Sequence, residues 1–469
     1  MNRHLTTGLL ILGILAGPLL GLRFQRDLSQ ARGILGLSGE LTLEKAPPMI
    51  AFTTIAFGGF RGLLANILWA RAIKLQDQEQ YFELVSLAHW ITKLQPDFST
   101  VWCIQAWNMV YGVSKQFSAP ADRWSWIQSG LQLLREEALR YNPREPEIYR
   151  ELAWFYLDKI GKQTDEANAY YKEALATEIS HFLGRPPRYD DLLKPATEEA
   201  SQRAQALFKA LRLDPAWMAK VDEKYGPLDW RVPESHAIYW AALGLDRGHQ
   251  VDTIRLRRLV WQGIDGCFRR GRLIANPIDR KLEFGPNLDM IDNAHRVFED
   301  MKKEEPEQQF AVVRAHKQFL LSAVYYLYTH NRIEQAARWF NLVRTQYPGT
   351  IPAEYDLDSF VVSTVSEKVE RGKPDQVRAL IEGFITRYYV NVALGDDDQA
   401  NGYSRLAQQT HALFQQRYAS TPHLLLPPLS EIANRVVAGF GQPGSGISEA
   451  MLRRLQGESS SPNPSPPAR

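Results

Sequence analysis

The chain has only two cysteines in 469 residues, too few for a disulfide-built scaffold. Charge of one sign is missing too: 55 Lys and Arg stand against 53 Asp and Glu, a formal net charge of +2. A nucleic-acid-binding body normally concentrates a Lys/Arg surplus on one face, so this balance argues against a nucleic-acid partner. The motifs of common chemistries are absent, with no P-loop, H-E-x-x-H, G-x-S-x-G or C-x-x-C. The histidines, at 4, 89, 181, 236, 249, 295, 316, 330, 411 and 423, stand singly, without the spacing that lets two side chains meet an ion from one helix. No metal and no cofactor is therefore expected. Asp396, Asp397 and Asp398 ahead of Asn401 and Gly402 resemble a calcium loop, but Gln408 stands where the twelfth position from Asp397 needs a bidentate carboxylate. What remains, 45% hydrophobic and 23% charged residues, is the make-up of a globular chain long enough to bury a large core.

Long apolar runs are confined to the amino terminus. Residues 5–22 carry no charge and lie between Arg3 and the pair Arg23 and Arg26. As a helix they reach roughly 27 Å, close to the hydrocarbon thickness of a bilayer. Residues 1–24 are expected to form an N-terminal transmembrane anchor or signal-like segment. A cleaved signal peptide is the alternative, although no A-x-A follows the apolar core and Pro18 interrupts where cleavage would begin. Short N-terminal anchors usually export the chain behind them. The expected address is a bacterial-type inner membrane, crossed once, with the bulk extracytoplasmic, although the flanking arginines do not themselves set the orientation. Residues 25–60 read as a linker plus an apolar segment, 49–60, too short to span.

From residue 61 to 350, apolar positions recur at three- and four-residue intervals, broken every fifteen to twenty residues by Pro, Gly or Asn. The clearest instance is Leu320, Ala323, Val324 and Leu327, then a turn at Thr329 to Arg332, then Ala336, Phe340, Val343 and Pro348. Tyr149, Leu152, Ala153 and Tyr156 repeat the first half, and Ala167, Tyr171 and Ala174 the second. Ala294, Phe298, Met301 and Pro306, and Ala204, Phe208, Leu211 and Pro215, repeat the second half again; Trp240, Leu243 and Gly244 open another unit. These intervals resemble the tetratricopeptide signature, W-x2-L-G-x2-Y followed by A-x3-F and a closing proline. The resemblance implies an all-α fold, a TPR-like superhelix of irregular helix pairs. The three prolines within 184–197 are expected to interrupt it. Residues 351–440 read as the helical end of the stack, and 441–469 as a largely disordered tail.

Two stretches are candidates for binding. One Pro-bounded loop carries Asp229, Trp230, Arg231, Glu234 and His236, which either present a polar surface or pair among themselves with Trp230 plugging the core. The other is a basic helix after Asp252, where Arg255, Arg257, Arg258, Arg269, Arg270 and Arg272 face only Asp265 and an apolar stripe runs from Ile254 to Phe268. Trp102, Trp107, Tyr111, Trp124 and Trp126 cluster at helical spacing and are expected mainly in the core. Cys103 and Cys267 read as two buried thiols.

The family resemblance implies a scaffold that receives a protein or peptide partner in a concave groove; the anchor at 5–22 would hold it at a membrane in service of an envelope, secretion or transport complex, and with no catalytic motif found no enzymatic activity is expected. The rival readings are an α-helical toroid carbohydrate-active enzyme, which would use the tryptophans and the Asp229/Glu234/His236 loop, and a peripheral anionic-lipid-binding protein, which would use Arg255, Arg258, Arg269 and Arg270.

Overall fold

The computed structural model describes residues 60–162, 165–184, 189–249, 253–275, 282–304, 306–330, 332–366, 374–420, 425–440 and 449–456. The expected anchor at 5–22 lies outside them, and among the described residues no helix is long and apolar enough to cross a membrane. The chain divides between Pro96 and Asp97 into two compact units, inside the stretch 61–350 expected to be one run of repeats. In the first, α1 (Phe60–Asp77) pairs with α2 (Tyr81–Leu94), which buries Leu84, Ala88 and Ile91 at helical spacing.

Among the described residues, the second unit is helical apart from one short hairpin. Its larger helices are α3 (Ser99–Trp107), α4 (Pro120–Gln132), α5 (Pro146–Trp154), α6 (Asn168–Leu183), α7 (Glu198–Leu211), α8 (Pro215–Tyr225), α9 (Pro233–Arg247) and α10 (Thr253–Arg270). After the hairpin come α11 (Ile291–Glu304), α12 (Gln309–Thr329), α13 (Ile333–Gln346), α14 (Leu357–Ser366), α15 (Pro374–Leu394), α16 (Asp397–Arg417), α17 (Leu429–Ala438) and α18 (Glu449–Leu455). Proline sets many of these boundaries. Pro120, Pro146, Pro215 and Pro233 each occupy a first-turn position, where the missing N–H costs nothing. Side-chain caps set others: Thr197 accepts from Ala200 N, Asp214 from Ala216 N and Asp396 from Gln399 N. Asp396, Asp397 and Asp398 thus form the acidic start of α16, where the helix dipole favours them.

The clearest repeat unit of the sequence is a helix hairpin. α12 folds back on α13, and Leu320, Ala323, Val324, Leu327, Ala336, Phe340 and Val343 are all buried. The stretch around Tyr149 departs from its expected pairing. Tyr149, Leu152, Ala153 and Tyr156 are buried, but α5 packs chiefly against α9, some eighty residues on, rather than against α6. Gly244 allows this: a Cβ there would lie 2.6 Å from that of Tyr149. The stretch at Ala204 is corrected in register. Ala200, Leu207 and Leu211 form the buried stripe of α7, and Phe208, expected inside, is 46% exposed with Arg212 against its ring. Among 184–197, Gly184 has φ +81° after α6, and a four-residue helix, Asp190–Leu193, precedes α7.

Periodicity did not point to the hairpin of β1 (Arg272–Ala275) and β2 (Leu282–Gly285), antiparallel with Arg272 opposite Gly285. Four-residue apolar runs do not distinguish strand from helix. The short helical piece expected around Ala450 to Leu455, with too little apolar surface to order itself, is α18, whose Met451 is buried against Ala393, Tyr389 and Phe440; one apolar face suffices once α15 offers it a partner.

Candidate functional site

The expected binding loop turns inward. Arg231 donates through Nε and Nη2 to both carboxylate oxygens of Asp229, at 2.8 and 2.6 Å. Trp230 is buried edge-on against His236 and Tyr239. Ser235 Oγ donates to Asp229 O at 2.7 Å. Glu234, 1% exposed, accepts from Arg270 Nε at 2.6 Å. The loop is further fastened to β1, where Leu273 N donates to Asp229 Oδ2. The five residues do come together, but as the plug between α9, α10 and the hairpin rather than as a polar face toward solvent.

His236 makes this plug sensitive to acid. Its Nε2 lies 2.8 Å from Trp230 O, so Nε2 carries the proton and donates, while Nδ1 is buried without a protein partner. Tyr156 stacks on the ring at 4.8 Å. Burial pushes the imidazole pKa down to about 4, with Arg135 adding to the fall and the Trp230 carbonyl opposing it. Because the folded value lies below the usual 6.5, the unfolded chain takes up the proton first as pH falls. The stability contribution is complete above about pH 6.5 and is lost progressively toward pH 4, about 3 kcal/mol in all. Urea melts of wild type and His236→Leu at pH 7 and pH 4.5 are expected to show a smaller acid-induced drop in the variant; equal drops would refute the assignment.

The basic helix is divided in its use. Arg269 pairs with Asp265 at 2.9 Å and donates to Ser322, Arg270 holds Glu234, and Arg257 pairs with Glu304. Arg255 and Arg258, with Leu259 and Gln262, form one face of α10 at the i, i+3, i+4, i+7 spacing. That face lines a cavity of about 230 Å³ together with Arg150, Glu151 and Trp154 of α5 and Trp107 at the end of α3. Trp107, expected chiefly as core, is 40% exposed, whereas Trp102 and Trp124 are indeed buried.

Each wall of the cavity is braced. Trp107 donates its indole N–H to Glu151 Oε2 and stacks on Tyr111 at 4.2 Å. Arg150 donates to Glu151 Oε1 at 2.7 Å, and Lys162 sits 4.8 Å over the Trp154 ring. Arg258 Nη2 donates to Gln308 Oε1 at 3.0 Å. Three guanidinium groups therefore line the space against one carboxylate, and two indoles supply its apolar area. At this volume the cavity suits one or two peptide side chains rather than a drug-sized ligand, whose sites run to roughly 300 Å³ and above. The α10 half was legible as a basic amphipathic face. Arg150, Glu151 and Trp154 were missed, because nothing in their spacing tells that α5 lies beside α10.

The expected absence of a metal set meets a counter-observation. His295, Glu299 and His316 bring one ligand atom each to within 4.8 Å of one another. Cys103 and Cys267 are both buried and free. No protein-family model matches the chain, and neither a curated protein nor a solved structure matches it.

Proposed function

We propose that the helical body is a docking module, held at a membrane by residues 5–22 with its bulk outside the cytoplasm, that grips an extended segment of a partner protein. The observation that carries this reading is the cavity between α5 and α10, where Arg150, Arg255 and Arg258 accompany Trp107 and Trp154. Its charge and shape complement a carboxylate, from an acidic side chain or a chain terminus, next to an aliphatic or aromatic residue. The tetratricopeptide-like spacing supports the same reading, since helix pairs of that kind commonly hold peptides. The carbohydrate-active alternative needs two carboxylates facing each other at roughly 5 to 10 Å. The cavity lining has one, Glu151, already bonded to Trp107 and Arg150. The lipid alternative draws on Arg255, Arg258, Arg269 and Arg270, of which Arg269 and Arg270 are engaged by Asp265 and Glu234.

Selection from a random peptide library tests the reading. Retained sequences are expected to carry a carboxylate within two residues of a large apolar side chain. Arg258→Glu is expected to weaken them at least tenfold, about 1.4 kcal/mol. Selection of uncharged peptides, or retention indifferent to Arg258→Glu and Trp107→Ala, would overturn it.

A further inference from the structure

We propose that His295, Glu299 and His316 form a binding site for a divalent transition-metal ion of the zinc type, at the junction of α11 and α12. His295 and Glu299 are four residues apart and share one face of α11; His316 reaches them from α12, which packs against it. Two nitrogens and one carboxylate oxygen are a donor set suited to zinc or cobalt, with a fourth position left for water or an incoming ligand.

The two rings already stand almost as an ion requires. His295 Nδ1 and His316 Nε2 are 3.0 Å apart. Bonds of about 2.0 to 2.1 Å in a tetrahedral arrangement place two ligand nitrogens about 3.3 Å apart, so the rings need to part only slightly. A single hydrogen can bridge this gap. His316 Nδ1 lies 2.8 Å from Tyr347 Oη, and Lys302 Nζ donates to the same oxygen at 2.7 Å. Tyr347 Oη can accept from both, and the tautomer with the proton on His316 Nδ1 is the one that turns the lone pair of Nε2 toward His295. An ion would replace the proton between the rings, and His295 would carry its own on Nε2. The Tyr347 contact also fixes the His316 ring from behind, the support that metal-binding imidazoles usually have.

Access agrees with this arrangement. His316 is fully buried, whereas His295 and Glu299 are only partly covered and open the site to solvent.

Lys302 is the competitor. Its ammonium lies 2.6 Å from Glu299 Oε1, which Gln346 Nε2 also approaches at 2.6 Å. An ion between the two rings competes with Lys302 for the one Glu299 carboxylate. Lys302 therefore acts as a resident cation that an incoming ion displaces, and removing it is expected to tighten binding.

The test is titration of the tag-free full chain, stripped with EDTA, with Co²⁺ at pH 7.5, read by cobalt visible absorption and by quenching of Trp339, whose ring lies 5.2 Å from His295. One equivalent is expected to bind, with affinity lowered at least tenfold in His295→Ala and Glu299→Gln and raised at least tenfold in Lys302→Met. Circular dichroism melts check that each variant is folded. Failure of wild type to bind one equivalent, or binding unchanged in His295→Ala, would overturn the site. Binding no tighter in Lys302→Met would overturn the displacement of Lys302.

Discussion

Replacing Gly402 by alanine is expected to destabilise the protein by about 3 kcal/mol, the upper end of the usual cost of overpacking a core. Gly402 lies in α16 where that helix crosses the end of α12. A Cβ there would fall 1.8 Å from Thr329 O, 2.3 Å from its carbonyl carbon and 3.0 Å from its Cα. All three atoms are backbone, so no side chain can swing aside and the two helices must separate. Separation would loosen Leu406 and Ala407 on one side and Leu327 on the other, all fully buried or nearly so. It would also strain the hydrogen bonds of Tyr328 to Asp358 and Gln409. The control is Gly383 in α15, around which a Cβ meets nothing within 4 Å. There the same substitution is expected to stabilise, by up to about 1 kcal/mol, through helix propensity alone. Urea unfolding of both variants checks the pair, and equal effects would refute the close-crossing account.

A comparable loss is expected for Lys159→Met. Lys159 is 1% exposed and its Nζ lies 2.6 Å from Oδ2 of Asp165, itself 5% exposed. Asp165 also accepts from Arg123 Nη1 at 3.2 Å and from Ala167 N at 2.9 Å. Tyr111 and Tyr171 place their ring faces near the ammonium, at 5.4 and 5.9 Å. Burial holds the Lys159 pKa below the usual lysine range. Against the burial that would raise it, the hydrogen bond from Lys159, with the Ala167 amide and Arg123, holds Asp165 below the usual carboxylate range. Removing one partner leaves the other charge buried and undercompensated, at about 3 to 5 kcal/mol. The double variant Lys159→Met/Asp165→Asn is expected to cost less than the sum of the singles by about 2 kcal/mol, the signature of coupled neighbours. Since Tyr111 also stacks on Trp107, Lys159→Met should in addition change Trp107 fluorescence at the cavity.

The helical character of the body was legible because burial imposes a 3.6-residue period on every amphipathic helix, whatever it packs against. That is why Leu320 to Val343 could be read as a hairpin, and why Trp102, Trp124 and the stripe of α10 could be assigned to the interior. The same period is blind to small rotations. It placed Phe208 inside α7, whereas Leu207, one residue away, is the buried side chain. The candidate sites failed and succeeded for a related reason. Residue types at 229 to 236 announced a polar loop, but whether such a loop faces solvent depends on Arg270 and β1, which come from later in the chain. Arg255 and Arg258 were visible as a face, while the indoles opposite them were not.

By itself, then, the sequence determined which segments coil, where proline and capping residues end them, and which face of most helices is apolar; these are local consequences of backbone geometry and side-chain type. Tertiary structure alone decided that α5 lies against α9, that Trp107 and Arg150 join Arg258 around one cavity, and that His295 meets His316 across 21 residues. Such meetings depend on which apolar stripes find each other, a choice made by the summed packing of the whole core rather than by any short stretch of chain.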